Sequence, residues 1–270
     1  MSDTFDARFG GTRRLYGEAG VEALKQAHVC VVGIGGVGSW VAEALARSAV
    51  GQITLIDLDD LCITNTNRQV HALSQTVGQS KVAVMAERVQ AINPDCRCHQ
   101  VEELVSEDNV RELFDQPFDY VIDAIDDVRA KAAMIASCRR RKLPIITIGG
   151  AGGQIDPTQI QIADLSRTQH DPLAAKVRSH LRRFYRFPAN LKRRFNVPCV
   201  YSTEQLRYPQ LDGSVCAQKT QTESGDGMRL DCDSGFGAST CVTATFGFVA
   251  VARVIDKLIE RAARSPQPLS

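Results

Sequence analysis

Residues 33–38 read Gly-Ile-Gly-Gly-Val-Gly, a G-x-G-x-x-G turn set between two apolar runs of different period. The run before it, residues 28–33 (His-Val-Cys-Val-Val-Gly), has the short β-branched character of a buried strand. The run after it, residues 38–49, places Val41, Leu45 and Ala49 on one helical face. A glycine loop joining a strand to a helix constrains this chain more than any other feature. Gly33, Gly35, Gly36 and Gly38 allow a tight turn and a close approach of backbone to phosphate. The helix start adds unpaired N–H groups and the positive end of the helix dipole. Asp57 ends the next apolar run, residues 52–57, where a carboxylate accepts hydrogen bonds from ribose hydroxyls. A glycine turn with no ligand is the plain alternative, and the strand–loop–helix context with Asp57 favours a nucleotide.

The alternation continues beyond the loop. Helix signals at residues 81–92 and 128–142 separate strand signals at residues 97–101, 119–124 and 144–148. This spacing predicts an α/β fold with a mostly parallel, Rossmann-like sheet and helices on both faces. After the glycine break at residues 149–153 the texture changes to weak strands at residues 159–163 and 200–206, a basic segment and a long uncharged stretch. A soft boundary near residue 155 divides residues 1–155 from residues 156–270, the latter expected as a C-terminal elaboration of the same fold unit. Residues 234–252 carry no charge, but Ser239, Thr240, Thr243, Thr245 and Gly247 mark them as a buried helix and not a membrane span.

A glycine loop and an aspartate specify a nucleotide and leave its kind open, since a nicotinamide dehydrogenase shows both. The residues that follow lean toward ATP. Asn65, Asn67, Arg68 and Gln69 come just after the second strand, Lys81 opens the next helix, and Asp126 lies just past the fourth strand. A triphosphate whose phosphate bond breaks needs more positive charge than a dinucleotide pyrophosphate, and usually a metal. Asp126 is placed to ligate magnesium through oxygen. Taken singly, Lys81 is a solvated helix start, and Asp126 and Asp127 are helix caps. The ordered set at successive strand ends argues for a site.

At this point the chain resembles a family. Residues 31–38, Leu55-Ile56-Asp57, Asn67-Arg68-Gln69, residues 78–81 (Gly-Gln-Ser-Lys) and residues 123–126 (Asp-Ala-Ile-Asp) are similar to the adenylating domain of the ubiquitin-activating and ThiF-type superfamily. The resemblance implies that Gly36 lines the nucleotide, that Asp57 binds its ribose and that Arg68 and Lys81 hold phosphates. It also implies that Asp126 ligates magnesium and that a carboxylate is activated as an acyl-adenylate. Many members that activate sulfur-carrier proteins have two C-x-x-C pairs for zinc, whereas the nearest pair here is Cys96-Arg97-Cys98. Residues 8–17, 149–157, 171–174 and 234–237 extend the likeness to the tRNA threonylcarbamoyladenosine dehydratases, over nearly the whole chain. This implies an ATP-dependent dehydratase that closes a ring on a modified adenosine beside the anticodon in tRNA. Homodimers are usual in that family, and a cysteine-desulfurase sulfur-acceptor protein is an associated partner. An adenylating enzyme for a sulfur-carrier or ubiquitin-like protein, and a nicotinamide oxidoreductase, are the rivals.

Net charge is +1, so a nucleic-acid signal has to be local. Residues 167–195 hold nine Lys or Arg, among them Arg178, Arg182, Arg183, Arg186, Arg193 and Arg194, against the single Asp171. Phe184, Tyr185, Phe187 and Phe195 are interleaved. A solvated helix face is one reading; the missing counter-charges and the aromatics favour a tRNA-binding surface with stacking partners for bases. The nine cysteines, an odd number without a disulfide-scaffold pattern, fit a reducing, cytoplasmic setting. Cys216 and Cys232 lie in polar surroundings with no histidine nearby in sequence, and ordinary thiols are expected there. His71 either lines the site near Arg68 or packs against the fold.

Overall fold

The computed structural model describes residues 2–210, 212–217 and 236–264. The first half alternates strand and helix. The strands are β1 (His28–Val32), β2 (Gln52–Ile56), β3 (Arg97–Val101), β4 (Tyr120–Asp123) and β5 (Ile145–Ile148). The helices are α1 (Ser2–Gln26), α2 (Gly38–Arg47), α3 (Lys81–Ile92), the single turn α4 (Val110–Leu113) and α5 (Val128–Arg141). Strands β6 (Ile160–Asp164) and β7 (Pro198–Ser202) flank α6 (Pro172–Phe184). A short ribbon, β8 (Tyr208–Pro209) with β9 (Val215–Cys216), precedes the last helix, α7 (Thr240–Arg264).

Seven strands form one sheet in the order β3-β2-β1-β4-β5-β7-β6, all parallel except β6, which pairs antiparallel with β7. The Rossmann-like α/β expectation therefore holds. The order reverses between β1 and β4, which makes the glycine loop after β1 the switch point where ligands collect. Strands on both sides of residue 155 share the sheet, since β7 pairs directly with β5.

Side chains alternate between two apolar layers, as a period of two requires. Val29 and Val31 join the layer built with α2, α3 and α7, through Val41, Leu45, Met85, Phe246 and Val254. Cys30 and Val32 join the opposite layer with α5 and α6, through Met134, Ile135, Val177 and Leu181. The uncharged C-terminal run is thus a packed core helix, and among the described residues no helix is long and apolar enough to cross a membrane. Helix α2 stops at Arg47, two residues short of the pattern, because Ala49 turns into the left-handed region at φ 64°.

The N-terminal helix is an element the sequence pattern missed. It is polar and interrupted at Gly17 (φ 74°), yet Phe5, Phe9, Val21 and Leu24 are buried.

A buried ion pair ties the middle of the sheet together. Asp123 at the end of β4 is fully buried and accepts from Lys131 Nζ of α5 at 2.9 Å and from Thr147 Oγ1 of β5 at 2.6 Å. Lys131 Nζ also donates to the Ile125 carbonyl at 2.7 Å. Truncating one partner strands a buried charge, so Lys131→Met should cost about 3–5 kcal/mol of unfolding free energy. Urea denaturation of Lys131→Met beside the double variant Asp123→Asn/Lys131→Met checks this; the double variant, which leaves no stranded charge, should recover part of the loss.

Candidate active site

The glycine loop is shaped by two contacts that only glycine permits. Gly33 has φ 86°, and a Cβ there would lie 2.7 Å from Ile125 Cγ2. A Cβ on Gly38 would lie 1.7 Å from the Gly33 carbonyl oxygen, so α2 folds back directly over the turn. At Gly36 a Cβ would meet Arg68 Cγ at 3.1 Å, which places the arginine stem across the loop. Gly35 is roomier, its Cβ position 4.0 Å from Gln69 Nε2. Helix α2 starts with Val37 at its N-cap and no side-chain cap; Ser39 N already donates to Gly35 O at 3.1 Å, so the helix end offers a ligand its dipole and only part of its opening amides.

Asp57, half-buried at the end of β2, braces this loop. Its Oδ2 accepts from Ile34 N at 2.6 Å and its Oδ1 from Asp59 N at 2.9 Å. Asp59 is a functional neighbour that the sequence reading missed: its Oδ2 accepts from Lys81 Nζ at 2.7 Å. Lys81 is buried, with Ser80 capping α3 through Ala83 N. The acidic run after β2 (Asp57, Asp59, Asp60) was the available signal, but spacing alone does not say which carboxylate meets the lysine.

The segment after β2 turns its side chains to different tasks. Asn65 is buried and its Oδ1 accepts from Cys62 N at 3.0 Å, fixing a short 3₁₀ turn. Arg68 Nη1 donates to Thr64 O and Asn67 Oδ1, both at 3.0 Å, while its carbonyl accepts from Trp40 Nε1 at 3.0 Å. Asn67 Nδ2 donates to Ala238 O at 3.3 Å, and Thr240 Oγ1 donates to Asn67 O, so the start of α7 is tied to this segment. Gln69 is buried, and its Oε1 has no hydrogen-bond partner among the described residues. An acceptor left unpaired beside the glycine loop suits a ligand that donates.

Asp126 is exposed just past β4. The neighbouring Asp127 does the capping, accepting from Ala130 N at 2.7 Å, which leaves Asp126 for other work. Further along the same edge, Asp171 caps α6 through Ala174 N at 2.8 Å and accepts from Gly150 N at 3.0 Å. Burial pushes its carboxyl up from the ordinary value, opposed by those two N–H donors and by Lys131 and Arg178.

The basic segment divides. Arg183, Arg186, Arg193 and Arg194 are exposed. Arg182 is half-buried, donates to Pro188 O at 3.3 Å and lies over the Phe195 ring at 5.3 Å. Arg178 is half-buried and donates to Thr168 Oγ1. The interleaved aromatics are not a set of stacking partners for bases. Phe195 is 1% exposed, and Tyr185 and Phe187 pack against the same apolar layer, because the chain after α6 needs them to close the core. Phe184 alone is open, at 56%.

His71 is a packed residue. It is buried, both ring nitrogens are unpartnered among the described residues, and burial with the nearby Lys81 and Arg88 charges lowers its pKa to about 4. The eight described cysteines are thiols; Cys216 is half-buried, and Cys232 lies outside the described residues. Burial pushes Cys96 and Cys98 up to about 12, which makes them inert. Among the described residues no group of three or more His, Cys, Asp or Glu is placed to hold a metal by itself.

Comparison with known proteins places this arrangement. The ThiF family matches residues 11–265. The chain is 58% identical over 264 residues to the tRNA threonylcarbamoyladenosine dehydratase of Escherichia coli K12, covering 98% of each chain. It superposes on the E. coli tRNA N6-threonylcarbamoyladenosine dehydratase in complex with ATP with a TM-score of 0.87 and 53% identity, over 98% of each chain. The AMP complex of the same enzyme gives a TM-score of 0.86 at 54% identity, over 97% of this chain and 98% of the other.

The depressed His71 pKa has a measurable consequence. The unfolded histidine titrates near 6.5 and the folded one near 4, so the unfolded state binds the extra proton between those values. Stability is full above about pH 6.5 and falls as pH drops toward 4, by up to about 3 kcal/mol. In His71→Leu this part of the pH dependence should vanish, as measured by chemical denaturation at pH 7 and pH 4.5.

Proposed function

The chain belongs to the ThiF family, and on that footing we propose that it dehydrates threonylcarbamoyladenosine in tRNA at the expense of ATP, through an adenylated carboxylate. The geometric observation that carries the ATP part is Arg68 laid across Gly36 at the uncapped start of α2. A dinucleotide pyrophosphate is satisfied largely by the helix end, and a cation on the loop marks a nucleotide whose phosphates react. The full-length likeness to the E. coli dehydratase supplies the substrate and disfavours a protein-tail substrate or hydride transfer.

The loop fits ATP: α2 opens without a side-chain cap, Gly36 leaves a cradle beside Arg68, and the buried Gln69 Oε1 awaits a donor. In this reading Gly33, Gly35, Gly36 and Gly38 form the phosphate turn, Asp57 receives the ribose, and Asn65 and Asn67 hold the segment in shape. Arg68 and Lys81 neutralise the phosphate charge that develops as the substrate carboxylate bonds to the α-phosphorus and pyrophosphate leaves. Asp59 keeps Lys81 aimed until phosphate competes for it. The urea-type N–H of the same substituent then attacks the activated carbonyl, and AMP carries the oxygen away. Ring closure is intramolecular and gains roughly 7–11 kcal/mol from proximity, so no enzyme nucleophile is needed.

Magnesium belongs to the proposal, held by Asp126. An exposed carboxylate at a strand end suits a cation that takes one or two carboxylates together with substrate phosphates. When bound it supplies further neutralisation of phosphate charge. The tRNA backbone lies along Arg178, Arg182, Arg183, Arg186, Arg193 and Arg194. Residues 1–155 and 156–270 work as one unit, in a cytoplasmic homodimer with a sulfur-acceptor protein as an associated partner.

Treating tRNA that carries threonylcarbamoyladenosine with enzyme and ATP–magnesium, then weighing its nucleosides, should show the loss of one water; an unchanged mass sinks the proposal. Arg68→Ala should lose about 2.7–4 kcal/mol of barrier lowering in that assay, with tRNA affinity retained. Changing Arg183, Arg186, Arg193 and Arg194 together to Ser should flatten the salt dependence of tRNA binding, since fewer counterions are released, and leave ATP affinity alone. These four are exposed, so the fold tolerates their loss.

A further inference from the structure

A second cavity of about 350 Å³ opens on the carboxyl side of the sheet, beyond β5 and apart from the glycine loop. Its size is at the small end of ligand pockets, which run from about 300 to 1,000 Å³. Asp171 forms part of its floor, and through Gly150 N at 3.0 Å it is pinned to the turn that follows β5. That turn has no slack, since a Cβ on Gly149 would lie 1.8 Å from Asp171 Oδ2. Lys131, whose charge acts on Asp171, holds the carbonyl of Ile125, the residue before Asp126. The cavity and the loop that bears Asp126 therefore share one buried lysine, which acts on Asp171 through its charge and on Ile125 through a hydrogen bond.

The walls differ in chemistry. On one side stand Leu206 and Tyr208, the latter with its ring 5.2 Å from that of Phe236. A half-buried aromatic backed by another ring offers a flat face for a base. On the other side α6 presents Ala175 and, one turn on, Arg178, with Gln205 adding an amide. Arg182 continues the same helical row from Arg178 toward the exposed Arg183 and Arg186. With the Asp171 carboxylate taken up by Ala174 N and Gly150 N, an aromatic ring and the Arg178 cation in one cavity suit a base with an anionic substituent. A triphosphate would call for more cations and for a helix end without a side-chain cap, and both lie at the glycine loop.

We propose that this cavity receives the modified adenosine, turned out of the anticodon loop, with its base against Tyr208 and its carboxylate-bearing substituent guided past Arg178 toward the ATP site. The proposal rests on the tRNA dehydratase reading. Enzymes that act on a base take it out of its stack into a fitted pocket, and a loop nucleotide costs least to extrude. The arginine row along α6 then tracks the backbone that leads to that nucleotide.

Two anticodon stem-loops of one sequence, with and without the threonylcarbamoyl group, test this by their affinities in the presence of a non-hydrolysable ATP analogue. The wild type should prefer the modified RNA. Arg178→Gln and the cavity-filling Ala175→Trp should each cut that preference about tenfold, and Tyr208→Ala should cut the affinity for the modified RNA by about the same factor, the scale of one lost base–aromatic contact, while ATP-analogue binding stays unchanged. Ala175→Trp removes no hydrogen bond, so it carries the test if Arg178→Gln, which loses its bond to Thr168, melts early. Full preference retained in folded Ala175→Trp, with undiminished affinity for the modified RNA in folded Tyr208→Ala, overturns the cavity assignment while the wild type still dehydrates tRNA. A wild type that neither prefers nor dehydrates the modified RNA overturns the dehydratase reading, and the cavity assignment with it.

Discussion

The carboxyl edge of this sheet is organised by one close approach, the Cα of Gly38 against the carbonyl oxygen of Gly33. With 1.7 Å between that oxygen and any Cβ at residue 38, only glycine lets α2 rise so directly from β1. The turn is then clamped from two strands. Asp57 of the β2 end takes Ile34 N at 2.6 Å, and Ile125 of the β4 loop packs into the space left by the missing Gly33 side chain. The start of α2, the Asp57 carboxylate and the loop that bears Asp126 are thereby set in one frame.

A second frame lies below the first, and its chemistry is ionic. Asp123, Lys131 and Thr147 form a fully buried set in which each charged atom has its partner. Such a pair contributes little net stability against an apolar alternative, because desolvating both charges consumes most of their attraction. What it contributes is position: Lys131 reaches two groups, the Asp123 carboxylate and the Ile125 carbonyl, and no apolar side chain could hold the latter. Asp171 holds the turn after β5 through Gly150 N, and Thr147 ties β5 to the Asp123 carboxylate of β4.

Much of this was legible in the residues. The glycine loop, the first five strands and α3 and α5 fall within a residue or two of where periodicity puts them, because a parallel sheet buried on both faces leaves β-branched runs that read plainly, whereas the strand expected at residues 200–206 lies at Pro198–Ser202. What escaped has a physical reason in each case. Helix α1 is polar and carries Gly10, Gly11 and Gly17; it is held by a few aromatic and aliphatic contacts, notably Phe5 and Phe9, that no periodicity announces. The aromatics after α6 looked like partners for bases because sequence shows composition and not direction, and Phe195 points inward. The Lys81–Asp59 and Asp123–Lys131 pairs join residues from different elements; the residue types were visible and the pairing was not.

The return of α7 to the first βαβ unit has a temporal meaning. Gly247 lies against the start of α2, where a Cβ would come within 3.1 Å of Val37 O, and Thr240 holds the carbonyl of Asn67. Residues 33–81 carry most of the groups that would touch the triphosphate, yet their supports at Ala238, Thr240 and Gly247 are made last by the ribosome. A nascent chain that has completed five strands still has an unbraced Arg68 segment. The bracing of the Arg68 segment therefore comes with α7 and not with the glycine loop, and the two ends of the fold close on each other there.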